Sequence, residues 1–173
     1  MLPPSRHLID FDRFGVDFRS LRYPGIISSE AWPGGGTTDY AVEIFYEALR
    51  HGHYKCYVEA DTALPMMYMD DCIKATVALM DAPEEALKQR VYNVTACSFT
   101  PRELAESIKK FIPQFEITYA PDFRQKIART WPSSIDDSRA RQDWGWDPDY
   151  DLDGMVKSML ERLENKLNAT TKL

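Results

Sequence analysis

FGVDFRSLRYPGIIS, residues 14–28, is the stretch on which the fold of this chain turns. Val16, Phe18 and Leu21 are its candidate core contacts, and Asp17, Arg19 and Arg22 interrupt an otherwise apolar strand. Tyr23-Pro24-Gly25 ends it, because proline gives no amide to a ladder and glycine accepts turn geometry. A mostly apolar strand belongs inside a parallel sheet, where both faces are covered. Parallel neighbours need long crossovers. The chain that follows offers few, so the missing neighbours are expected upstream of Met1.

Strands and helices alternate from there on, which makes an α/β chain. The run PGGGTTDY, residues 33–40, reads as a loop opening into a helix capped by Thr38 or Asp39. Val42, Phe45, Ala48 and Leu49 share a face of that helix, and Gly52 stops it. Residues 54–59 suggest an edge strand and residues 64–69 a second short strand. Asp70-Asp71 should cap a helix whose Ile73, Val77 and Met80 share an apolar face. Residues 90–94 form a short strand. Thr100-Pro101-Arg102-Glu103 carries a capping box with proline at the first helical position, ahead of Leu104, Ile108 and Phe111. Residues 115–119 read as a strand, and residues 138–143 as a short helix ended by Gly145. Trp144 and Trp146 read as packing residues. Leu152, Val156, Met159, Leu160, Leu163 and Leu167 mark a long amphipathic helix at the end.

Composition excludes several classes. The 173 residues carry 21 basic and 27 acidic side chains, a net charge of −6 with no basic run, which argues against a nucleic-acid partner. Apolar residues are 44% of the chain, enough for a core, yet no run approaches the ~20 residues of a membrane span. Residues 1–14 are too short and too acidic in their apolar part for a signal peptide. Cys56, Cys72 and Cys97 are an odd, widely spaced set, so they read as free thiols of a reducing compartment rather than a disulfide framework or zinc site. His51 and His53 flank Gly52 at a helix end without a third ligand nearby, so no metal site is expected.

Four segments, in order, resemble the extended short-chain dehydrogenase/reductase family, also described as NAD-dependent epimerases/dehydratases. They are LRYPGIIS (residues 21–28), MMYMDDCIKATVALMD (66–81), VYNVTACSFTPRELAESI (91–108) and DDSRARQDWGWDPDYDLDGMVKSML (136–160). Two more, PGGGTTDYAVEIF (33–45) and TWPSSIDDS (130–138), are similar to the threonine dehydrogenases within it. Coverage runs from about residue 14 to residue 163. The resemblance implies the C-terminal part of a Rossmann-like α/β fold, its last parallel strands plus a small substrate-binding lobe, with the N-terminal dinucleotide-binding half absent. It divides the chain into a non-matching extension (1–13), residual Rossmann strands and helices with a substrate loop at 33–66 (14–94), and a substrate-binding lobe (95–173).

The reaction that the resemblance implies is oxidation of the L-threonine hydroxyl by NAD to 2-amino-3-ketobutyrate, in threonine catabolism. Such chemistry needs a glycine fingerprint at a helix start for the pyrophosphate and a tyrosine, helped by a lysine four positions on, as base. The 173 residues hold no Gly-x-Gly-x-x-Gly and no Tyr-x-x-x-Lys. Tyr46 with Arg50 is the nearest approach, and arginine is a poor proton-relay partner. No catalytic residue is therefore assigned, and the isolated chain is expected to be inactive and to bind no NAD. By resemblance, the backbone of Tyr23, Pro24, Gly25 and Ile26 borders the nicotinamide, an ordinary turn being the alternative. Thr37 and Thr38 face the amino acid, with Gly34, Gly35 and Gly36 letting backbone amides approach its carboxylate and plain capping as the alternative. Arg22 pairs with its carboxylate or sits in a structural ion pair, and Trp131 walls the pocket or packs in the core. Partners implied are L-threonine, a second copy, or a full-length protomer. The compartment implied is mitochondrial in a eukaryote and cytoplasmic otherwise. Two alternatives stay open: a non-catalytic short product that binds threonine or full-length protomers, and another extended dehydrogenase or epimerase.

Overall fold

The computed structural model describes residues 13–170. The expected extension at 1–13 lies outside the described residues apart from Arg13. The strands are β1 (Ser20–Arg22), β2 (Gly25–Ile27), β3 (His53–Cys56), β4 (Leu64–Tyr68), β5 (Val91–Asn93), β6 (Cys97–Phe99) and β7 (Glu116–Tyr119). The helices are α1 (Tyr40–His51), α2 (Met69–Asp81), α3 (Pro101–Lys109), α4 (Phe123–Ala128), α5 (Ser138–Trp144) and α6 (Leu152–Thr170). Parallel pairs dominate: β1 with β5, β2 with β4, and β3 with β7. One pair, β4 with β6, is antiparallel. This is the α/β class expected, with parallel sheets.

β4 is the hub. All five of its residues are buried, and β2 and β6 flank it. Strand alternation sends successive side chains to opposite faces. Leu64, Met66 and Tyr68 enter a large core with Tyr40, Phe45, Phe99, Leu104 and Met159. Met67 enters a smaller one with Leu79, Tyr92, Val94 and Trp146. The short antiparallel β6 and helix α4, neither signalled by a long periodic run, complete the walls.

Local signals in the sequence hold at several helix ends. Thr100 accepts from the Glu103 amide at 3.2 Å and the Glu103 carboxylate takes the Thr100 amide at 2.8 Å, closing the capping box. Gly52 and Gly145 adopt φ of 66° and 75°, left-handed positions that stop α1 and α5. Trp146 is buried, its indole N–H donating to the Thr95 carbonyl and the Asp137 carboxylate, both at 3.1 Å.

Three expectations are corrected. The opening strand is only Ser20–Arg22, and Val16 is 53% exposed, so it is no core contact. β1 is paired on one side only, by β5, which leaves Phe14 and Val16 without cover among the described residues. The apolar face of α2 points outward: Ile73, Val77 and Met80 are 57%, 50% and 68% exposed, while Ala75, Leu79 and Asp71 are buried. Helical spacing finds a stripe but not which stripe is covered. Phe111, just past α3, is also exposed.

Burial therefore ranks substitutions. Leu104→Ala, in the fully buried row of α3, should cost about 2–5 kcal/mol. The double change Ile73→Ser and Val77→Ser should stay within about 1 kcal/mol, since surface changes are small. Denaturant unfolding of the three chains checks the ranking, and equal losses would place the α2 stripe in a core.

Candidate functional site

The loop at 33–39 is built around one carboxylate. Asp39 does not cap α1 with its side chain. Its Oδ2 instead accepts from the amides of Gly34 at 2.7 Å and Gly36 at 2.8 Å. Gly35 between them has φ of 89°, a conformation that favours glycine. On the other side of the loop, the Tyr57 hydroxyl donates to the Gly36 carbonyl at 3.0 Å. The Arg124 guanidinium lies 3.1 Å from the Tyr57 ring centroid and is paired with Asp122 at 2.7 Å. The expectation that Thr38 or Asp39 caps the helix is thus replaced by a folded loop.

This geometry decides which donors remain open. Among the described residues, neither the Thr37 nor the Thr38 hydroxyl has a protein partner, and both residues are half-buried. They stand at the start of a 12-residue helix, where backbone dipoles favour an anion. The turn from 23 to 26 closes against them. A Cβ on Gly25 would lie 2.5 Å from the Met66 sulfur and 3.1 Å from Thr38 Cγ2, so only glycine lets the turn approach this closely. Pro24 and Gly25 are buried, and Ile26 is half-buried in the smaller core. Tyr23 is exposed, with its hydroxyl 2.6 Å from the Thr76 hydroxyl on α2.

Two other residues expected at the site make no bond or ring contact with the loop among the described residues. Arg22, at the end of β1, lines a separate cleft of about 230 Å³ with Asn93, Asp136 and Arg139. No ion pair holds it among the described residues. Trp131 sits exposed beyond α4, its amide bonded to Ala128 at 3.1 Å, with no bond or ring contact to the loop among the described residues.

Next to the loop lies a cleft of about 350 Å³ that sequence spacing did not find. Trp32 stacks on Tyr46 with centroids 4.4 Å apart, and the Arg50 guanidinium lies 5.3 Å from the Trp32 ring. Glu43 accepts the Tyr54 hydroxyl at 3.0 Å. Burial raises the Glu43 carboxyl above its ordinary value, against the lowering pull of that hydrogen bond and of Arg124. Glu43, Tyr46, Glu47 and Arg50 share a helix face by their spacing. The signal was available, but it reads equally as a solvated face.

The acidic pair also changes role. Asp71 is fully buried and accepts the Asp149 and Tyr150 amides at 2.8 and 3.1 Å, tying α2 to the chain ahead of α6. Asp70 pairs with Arg162 at 2.6 Å. Neither caps α2 with its side chain, so that expectation is corrected. No group of three metal-ligating side chains occurs among the described residues. No helix there is long and apolar enough to cross a membrane. Burial pushes the Cys56 thiol up to about 11 and the Cys97 thiol up to about 12, which favours the protonated thiol at neutral pH.

No protein-family model matches the chain. The solved L-threonine dehydrogenase of Phytophthora infestans superposes with a TM-score of 0.88 at 64% identity, over 90% of this chain and 51% of that one. The mitochondrial L-threonine 3-dehydrogenase of Bos taurus is 56% identical over 149 residues, which are 86% of this chain and 40% of the relative. An epimerase/dehydratase of Staphylococcus aureus, described as uncharacterized, is 51% identical over 158 residues, covering 90% of this chain and 49% of its own. The chain spans about half the length of the relatives it matches, as the C-terminal half of an epimerase/dehydratase-family enzyme would.

The raised Glu43 carboxyl has a signed consequence. A folded value above the unfolded one means that folding takes up a proton in that window. The ionised carboxylate therefore costs stability above it, and the cost vanishes once both states are protonated. Glu43→Gln keeps an acceptor for Tyr54 and removes the charge. Its melting temperature should exceed that of the parent at neutral pH, with the difference closing in acid. Thermal melts across pH test this, and a difference that widens in acid would reverse the sign.

Proposed function

We propose, from the premise that this chain is homologous to L-threonine 3-dehydrogenases over about nine-tenths of its own length and half of theirs, that it is the amino-acid-binding part of an NAD-dependent L-threonine 3-dehydrogenase. The observation that carries this reading is the contact of the Gly25 turn with Thr38, which sets a tight main-chain turn beside two unpartnered hydroxyls at a helix start. Thr37 and Thr38 then hold the threonine carboxylate through hydroxyl and main-chain donors, with Gly36 shaping the approach. The helix dipole of α1 adds to the attraction.

The residues present fit only one edge of the cofactor. Main chain at Tyr23–Pro24–Gly25–Ile26 borders the nicotinamide, which when bound accepts the hydride from the threonine carbon. The pyrophosphate loop and the tyrosine base are not in the 173 residues. The chain alone should therefore form no NADH from threonine and NAD. Arg22 and Trp131 are assigned to the substrate by resemblance alone, since no bond ties either to the loop among the described residues.

The open side of β1 and the exposed Ile73, Val77 and Met80 stripe support a surface for the dinucleotide-binding half, carried by the same polypeptide or by a full-length protomer. A mitochondrial location follows the bovine relative's description. Epimerase or dehydratase chemistry is the second reading, on the description of the staphylococcal relative.

A chimera tests the proposal. Residues 14–163 replace the matching half of the bovine enzyme, and NADH formation with threonine is followed. Threonine-dependent turnover is the expected result. A folded chimera that is silent with threonine would favour the second reading. Within it, Thr38→Ala should raise the threonine KM about fivefold with kcat kept, the worth of one hydrogen bond of about 1 kcal/mol. An unchanged KM would leave Thr38 with packing alone.

A further inference from the structure

We infer that Asp39 is a positioning residue of the substrate loop: its carboxylate occupies the Gly34 and Gly36 amides and so directs the ligand carboxylate to Thr37 and Thr38. This deepens the threonine-binding reading and rests on it. A glycine triplet ahead of a helix offers amide donors to any carboxylate. Here the chain's own carboxylate takes two of them, at 2.7 and 2.8 Å through a single oxygen. A Cβ on Gly36 would lie 3.4 Å from that carboxylate, in ordinary contact with it, so the loop packs against Asp39 without requiring glycine there.

The same loop is held from its opposite side. Tyr57, buried below Arg124, gives its hydroxyl to the Gly36 carbonyl. Gly36 is therefore gripped through both its N–H and its C=O, by two residues 18 positions apart (57 − 39). A loop gripped at Gly36 fixes the direction in which the next two residues leave it, and those are Thr37 and Thr38. Charge is not what the grip requires. A single acceptor oxygen suffices, so asparagine should replace aspartate while alanine should not.

The experiment uses this chain with residue-specific amide exchange by NMR. Gly34 and Gly36 should exchange slowly in the parent and in Asp39→Asn, and at least tenfold faster in Asp39→Ala. Tyr57→Phe should speed Gly36 exchange less, while keeping the ring under Arg124. Free L-threonine is then titrated while the Thr37 and Thr38 signals are read. Affinity should be kept in Asp39→Asn and fall several-fold in Asp39→Ala, with the melting temperature of each variant recorded alongside. Unchanged exchange in Asp39→Ala overturns the grip. Faster exchange with unchanged threonine affinity overturns the positioning role and leaves a structural one. A parent chain whose Thr37 and Thr38 signals ignore threonine sinks the function proposed above, and the exchange result still decides the grip by itself.

Discussion

The structure depends on β4 being covered on both faces. A five-residue strand has no solvent side to spare, so each residue must meet a partner chosen by alternation. Leu64, Met66 and Tyr68 commit to one core and Met67 to the other. Two cores that share a strand cannot shift independently. Its neighbour β2 must also come close, and it does so through Gly25, whose missing side chain leaves room for the Met66 sulfur. The same missing side chain brings Thr38 against the turn. A packing requirement of the sheet thus sets the geometry of the site.

The other side of the molecule is organised by an absence of cover. α2 buries Leu79 and Ala75 and shows Ile73, Val77 and Met80. Its end is nevertheless well tied. The Arg19 guanidinium donates to the Leu79, Met80 and Ala82 carbonyls at 2.6–2.8 Å, which neutralises the negative end of the helix. Arg19 and Arg90 share Asp17 and Glu84, so β1, β5 and the end of α2 form one charged seam. The exposed stripe is therefore presented on a braced helix. Exposed apolar area of this kind suits the surface proposed above for a dinucleotide-binding half.

Much of the fold was legible in the sequence where the cause is local. The Thr100 capping box, the helix stops at Gly52 and Gly145 and the α6 stripe all follow from residues within a turn of one another. The failures share a different cause. Ile73, Val77 and Met80 keep perfect helical spacing, yet spacing is silent about what lies opposite. Asp71 looks like a cap from its position in the first turn, and only the arrival of residues 149 and 150 from 78 and 79 positions away makes it a buried anchor. At the site, Thr37, Thr38 and Gly25 were singled out through resemblance, and the close approach of Gly25 to Thr38 was not foreseen. Trp32, Glu43 and Arg50 were not singled out, because a charged helix face reads as solvated until β3 and the 32–33 loop wall it in.

Asp39 shows how a local rule and a long-range one compete at one residue. An aspartate ahead of a helix satisfies the amides that the helix leaves open, and its value there is about 1 kcal/mol. In this chain the carboxylate turns back to the glycine amides instead. Two charge-assisted hydrogen bonds outweigh one cap, and a left-handed Gly35 makes the backward turn accessible. The first amides of α1 go to main-chain carbonyls instead, Ala41 to Thr38 and Val42 and Glu43 to Asp39, at 2.8–3.1 Å. What the loop leaves without a protein partner among the described residues is the pair of hydroxyls on Thr37 and Thr38, the donors that the proposed function assigns to an incoming carboxylate.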